Sequence, residues 1–140
     1  MAQKGVVFTT SLSTKECADL FREGWQSTRR VTARVTEVLD KVTGQGLADF
    51  YTPTWDSPFA AIDGVPDFSV GVQVLGGIGG VRAGGTPIHM YVFDRPDERE
   101  VQLVSTYTIT GGTGAARVVR RFFEQFRTAD PELSVTDGNV

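Results

Sequence analysis

Two runs rich in β-branched and aromatic side chains, residues 88–93 and 101–109, are separated only by Asp94, Arg95, Pro96, Asp97, Glu98, Arg99 and Glu100. A connection so short and so charged turns the chain straight back, so the two runs form an antiparallel hairpin. Upstream, Phe68, Val70, Val72 and Val74 alternate with Ser69, Gly71 and Gln73, the two-residue period of a strand with one face on a core. Residues 5–11, with Val6, Val7, Phe8, Thr9 and Thr10, read as a further strand. An antiparallel sheet is therefore the frame that every other segment must fit.

Helical signals flank that frame. Ser13 and Glu16 stand three apart directly after the first strand, where each side chain can satisfy a free N–H at a helix start. Cys17, Leu20, Phe21 and Trp25, then Val31, Val35, Val38, Leu39 and Val42, continue at helical spacing. An unbroken helix over residues 14–42 would be roughly 43 Å long at ~1.5 Å per residue, against a radius of gyration of about 14 Å for a domain of this size. A break is expected at Gly24 or within residues 26–30, and the Val/Thr alternation over 31–36 keeps a strand reading open there. Residues 47–52 read as a weak strand. Residues 53–66 read as loop around at most one short strand at 59–62, because Pro53, Pro58, Gly64 and Pro66 punctuate them. After Gly111, Gly112 and Gly114, the residues Val118, Val119, Phe122, Phe123 and Phe126 face Arg117, Arg120, Arg121 and Arg127 across an amphipathic helix. The order is strand, one or two helices, four or five antiparallel strands and a terminal helix. The fold class expected is α+β, a single antiparallel sheet with the helices packed on one face. Residues 1–128 form one domain and residues 129–140 a polar, disordered tail.

Composition narrows the function. With 140 residues, 40% apolar and 22% charged, the chain has the make-up of one globular domain. Neither a membrane-spanning run of ~20 apolar residues nor a signal peptide is legible, so a cytoplasmic protein with no membrane partner is expected. A single Cys17 and a single His89 exclude an internal disulfide and the usual multi-Cys or multi-His metal sites. A net charge of -3 gives nucleic acid no general attraction. No cofactor is implied.

The order of strand, broken helical pair, antiparallel strands and terminal helix over residues 5–127 resembles the helix-grip fold of the START-like and Bet v 1-like superfamily. It is also similar to TATA-binding-protein-like folds, which have an unbroken first helix. The first resemblance implies a cavity between the sheet and the terminal helix. The sheet and the terminal helix read shorter than that fold has them.

Individual candidates are few. The glycines of residues 76–85 lack a P-loop lysine and a following helix, so a hairpin tip or gate is favoured over a phosphate cradle. Gly111, Gly112 and Gly114 stand at a helix start, where an anion is electrostatically welcome, yet a tight turn explains them alone. The carboxylates around residues 94–100 are interleaved with arginines and read as a solvated turn. The arginines of the terminal helix, with Arg29, Arg30 and Arg34, read as solvated faces rather than a nucleic-acid surface. Cys17 lies on an apolar stripe and reads as core. His89 shares one strand face with Tyr91 and Phe93, but spacing places no second titratable group beside it for catalysis.

Three functions compete. The first is non-catalytic binding of a small molecule or lipid, with His89, Tyr91, Tyr107 and Trp55 lining a pocket between sheet and terminal helix. The second is a protein-interaction module, a homodimer formed through an open sheet face bearing Tyr91, Phe93 and Val104. The third, an enzyme using His89, is the weakest.

Overall fold

The computed structural model describes residues 2–29, 50–56, 58–74, 86–107 and 113–140. The elements in chain order are β1 (Ala2–Thr10), α1 (Thr14–Arg29), β2 (Phe68–Val74), β3 (Thr86–Asp94), β4 (Arg99–Tyr107), α2 (Thr113–Ala129) and β5 (Ser134–Gly138). The strands make one antiparallel sheet in the spatial order β2-β3-β4-β1-β5. The class is α+β, with both helices on one face.

The hairpin forms as its charged connection requires. The Arg95 N–H donates to the Glu98 carbonyl at 2.9 Å, and Arg99 pairs with Asp94 at 3.0 Å across the turn. The start of α1 is a reciprocal cap: the Glu16 N–H donates to Ser13 Oγ and the Ser13 N–H donates to Glu16 Oε1, both at 3.1 Å.

Alternation then sorts the strands into two faces. Val6 and Phe8 of β1, Val72 of β2, Ile88, Met90 and Val92 of β3, and Val101 and Leu103 of β4 meet Cys17 and Phe21 of α1 and Val119, Phe122 and Phe126 of α2. Phe8 lies between Phe123 and Phe126 with centroids 5.2 Å from each, and Phe21 is 4.9 Å from Phe122. Aromatic pairs at such spacings add to the burial of their area. Burial pushes the Cys17 thiol up to about 12, against the opposing charge of Arg99, as befits a core residue.

Three expectations change. Helix α1 runs through Gly24, which rules out the first of the two places expected for a break, and the described helix ends at Arg29, inside the second; a Cβ at Gly24 would stand 2.7 Å from Phe122 Cδ2, so this glycine admits the α2 ring rather than ending the helix. Residues 59–62 form no strand, and of residues 50–52 only Tyr51 joins the sheet, through an isolated bridge to Gly71. The described residues between the two helices supply three strands, β2, β3 and β4. Finally, residues 129–140 are not a disordered tail: β5 pairs with β1, and the Asn139 side chain accepts from the Gly5 N–H at 2.9 Å and donates to the Gln3 carbonyl at 3.0 Å. These bonds satisfy the outer edge of β1, which five exposed side chains of β5 gave no apolar signal for. The glycines of 76–85, Gly111, Gly112, the helical pattern over 31–42, residues 47–49, Arg30 and Arg34 lie outside the described residues.

The second sheet face is not open. Tyr91, Phe93 and Val104 are buried beneath Trp55, Phe59 and Ile62 of the 53–62 segment. Gln102 pins that segment: its Oε1 accepts from the Phe59 N–H at 2.8 Å and its Nε2 donates to the Ala60 carbonyl at 3.0 Å. A fully buried amide thus serves the covering segment as a neighbouring strand would.

Candidate functional site

Residues directly opposite in neighbouring strands share a face. Gly71 of β2 is opposite His89 of β3, which is opposite Val104 of β4. On the outer side of β2, Tyr51 and Gly71 exchange backbone hydrogen bonds of 2.9 and 2.7 Å. A row Tyr51, Gly71, His89, Val104 therefore crosses the face away from the helices. Gly71 is what lets its neighbours meet: a Cβ there would fall 2.7 Å from both His89 Cδ2 and Tyr51 Cε2. Without that carbon, the Tyr51 and His89 rings pack edge to face at 5.5 Å.

Hydrogen bonding fixes the sense of the cluster. The Tyr91 hydroxyl donates to the Thr54 carbonyl at 3.0 Å, which uses its only proton. Towards His89 Nδ1, 3.2 Å away, Tyr91 Oη can then only accept, so Nδ1 carries the imidazole proton. In the neutral ring Nε2 is an acceptor, and the Tyr51 hydroxyl, 2.8 Å from it, donates to it. Protons thus point from Tyr51 through His89 and Tyr91 to the main chain of the covering segment.

Burial is the main cause of every shifted pKa in the cluster. It lowers His89 below its ordinary value, partly opposed by the Asp56 carboxylate, and so favours the neutral ring. It pushes Tyr91 up to about 12, with Asp56 and Tyr51 adding to the rise, and it raises Tyr51. Neither phenol ionises near neutral pH. Because the folded value of His89 lies below the unfolded one, the unfolded chain takes up this proton first as pH falls. The stability contributed by neutral His89 is complete above about pH 6.5 and is lost as pH drops through the folded value. Melting temperatures measured from about pH 7.5 down to about 5.5 should fall for the native chain, and His89→Phe should flatten that slope; an equal slope in both would show that His89 does not titrate as described.

The structure brings three of the four expected ligand residues together. Trp55 sits edge to face on Tyr91 at 4.6 Å, and Tyr91 bonds to His89. The backbone of Tyr107 is opposite Ala2, and its side chain is outside the described set. The cluster lies opposite α2, so it does not line the space between sheet and terminal helix; there Phe8, Val119, Phe122 and Phe126 are packed together. An open groove of about 360 Å³ does exist where α2 meets β5, with Val6, Phe123 and Val135 as its floor and Arg120 and Arg127 on its rim, but none of the expected residues reaches it. Sequence reasoning missed Tyr51, Thr54, Gly71 and Gln102, whose roles depend on which strands neighbour one another. Only the polar Gln102 between apolar neighbours in β4 gave a signal.

Arg95 pairs with Glu100 at 3.2 Å and Arg99 with Asp94 at 3.0 Å in the charged turn. Among the described residues no group of His, Cys, Asp and Glu could hold a metal ion, and no helix is long and apolar enough to cross a membrane. Arg117, Arg120 and Arg127 are exposed along α2, and Arg127 pairs with Glu124. No family model, curated protein or solved structure matches the chain.

Proposed function

We propose that this chain is a non-catalytic binding domain for a small molecule, held against Tyr51, His89 and Trp55 at the margin of the covered sheet face opposite the helices, with the buried Tyr91 supporting His89 from beneath. The observation that supports the reading is the directed hydrogen-bond chain that ends, on its outer side, at Tyr51, a residue 38% exposed. Its inner end is the Thr54 carbonyl, which accepts a hydrogen bond but neither supplies nor takes up a proton near neutral pH, so the chain suits holding a group in place rather than moving a proton. Rings packed edge to face, Tyr51 on His89 and Trp55 on Tyr91, give the same place an apolar, aromatic character. This puts the ligand on the opposite side of the sheet from the cavity that a helix-grip resemblance would suggest. Self-association through the sheet face would require lifting Trp55, Phe59 and Ile62 off Tyr91, Phe93 and Val104, and nothing in the described residues favours that.

Titrating isotope-labelled protein with a library of aromatic amines, alcohols, ketones and acids tests the reading. The expected result is that some members shift the resonances of Tyr51, His89 and Trp55, and that Tyr51→Phe and His89→Ala weaken those members while leaving the fold intact. If no member moves those resonances at millimolar concentration, the binding site is not here.

A further inference from the structure

The hydrogen-bond sense of the cluster says which chemical groups it can accept. The Thr54 atom that Tyr91 meets is its main-chain carbonyl oxygen, which can only accept, so the Tyr91 hydroxyl must donate to it, His89 Nδ1 must donate to Tyr91, and Tyr51 must donate to His89 Nε2. The single proton of the Tyr51 hydroxyl is thereby committed inward. What Tyr51 Oη shows to solvent is lone-pair density alone.

We infer that the ligand group seated on Tyr51 is a hydrogen-bond donor, and specifically an organic ammonium, with an aromatic or apolar body lying along the Tyr51 ring. The inference rests on the binding reading given above and narrows it to a chemical class. A carbonyl, ether or carboxylate in the same place would set lone pair against lone pair, with no proton between them. The exposed carboxylate of Asp56 follows Trp55 directly, and its negative charge is felt at both His89 and Tyr91. A cation gains from that field and from the faces of the surrounding rings, whereas an anion is repelled.

The same geometry makes the preference reversible. The titratable groups facing His89 are Tyr51 from the segment bridged to β2, Tyr91 on β3 itself and Asp56 in the covering segment, while β4 presents Val104. When His89 takes up a second proton, Nε2–H donates to Tyr51 Oη, and the Tyr51 hydroxyl turns its proton outward. The site then favours an acceptor.

Two measurements decide the matter. Long-range proton–nitrogen correlation at pH 7.5 should show His89, the one histidine of the chain, protonated at Nδ1 and bare at Nε2; the opposite tautomer overturns the inference whatever binds. At the same pH, benzylammonium should bind at the cluster roughly tenfold or more tighter than acetophenone or benzoate. Tyr51→Phe, which keeps the ring and removes Oη, should weaken benzylammonium without weakening acetophenone and so narrow the gap between them, and lowering the pH below the His89 value should shift the preference towards benzoate. If benzoate or acetophenone matches benzylammonium at pH 7.5, binding stands and the donor inference falls. If none of the three perturbs the cluster, the binding reading itself fails and takes the inference with it.

Discussion

Phe122→Ala should come close to unfolding the protein. The Phe122 ring is fully buried, lies 4.9 Å from the ring of Phe21, and fills the space that Gly24 leaves on α1. It is the point where the two helices touch each other as well as the sheet. Removing a buried phenyl ring costs ~3–5 kcal/mol, a large share of the ~5–15 kcal/mol that holds a domain together. The rigid neighbouring ring of Phe21, itself fully buried, limits how far the site can collapse to recover that loss. Arg120→Ala, on the exposed face of the same helix, should change stability by no more than about 0.5 kcal/mol. Chemical denaturation of both variants checks this, and equal midpoints would mean that α2 is not docked on the sheet as described.

Gln102→Leu should have the second largest effect, through a different mechanism. Leucine nearly conserves the volume, so little of the effect comes from a cavity. What is lost is the partner of the Phe59 N–H and of the Ala60 carbonyl. A buried backbone group left without a partner costs ~1–3 kcal/mol, and because these two are only part-buried and water reaches them in part, the variant should lose about 2–4 kcal/mol. Because Phe59 and Trp55 belong to the segment that Gln102 holds down, amide exchange at residues 59 and 60 should accelerate, and Tyr91 should become accessible to solvent. A variant with unchanged exchange at those two amides would show that apolar contact alone keeps the segment in place. The comparison separates the two sides of the sheet: the helix side is held by packed rings, whereas the outer side depends on a few polar bonds whose loss is local.

The strands and helices themselves were legible in the sequence to the extent that their signals are local. The period-two pattern from Phe68 to Val74, the charged connection between β3 and β4, the Ser13 and Glu16 cap, and the stripe of Val119, Phe122 and Phe126 each involve residues a few positions apart, and each formed as the spacing requires. The choice of His89, Tyr91 and Trp55 as candidate site residues likewise needed only residue type and strand parity.

What decided the remainder was register and strand order, which short-range pattern does not encode. Gly24 looks like a helix breaker until the Phe122 ring, nearly one hundred positions later, is laid against it. Residues 134–138 look like a polar tail until β1 offers them an unpaired edge, since backbone pairing makes no demand on side-chain polarity. Tyr91, Phe93 and Val104 look like an open surface until Gln102 is seen to hold Phe59 and Ala60 above them. Tyr51 becomes a partner of His89 only because the bridge to Gly71 sets its backbone beside β2, and Gly71 stands opposite His89 by the pairing of β2 with β3. Sequence by itself determined which residues could form strands, helices and aromatic or polar contacts. Tertiary structure alone decided which of them share a face, because that depends on hydrogen-bond pairings between segments tens of residues apart, where a shift of one position would turn every side chain to the other side of the sheet.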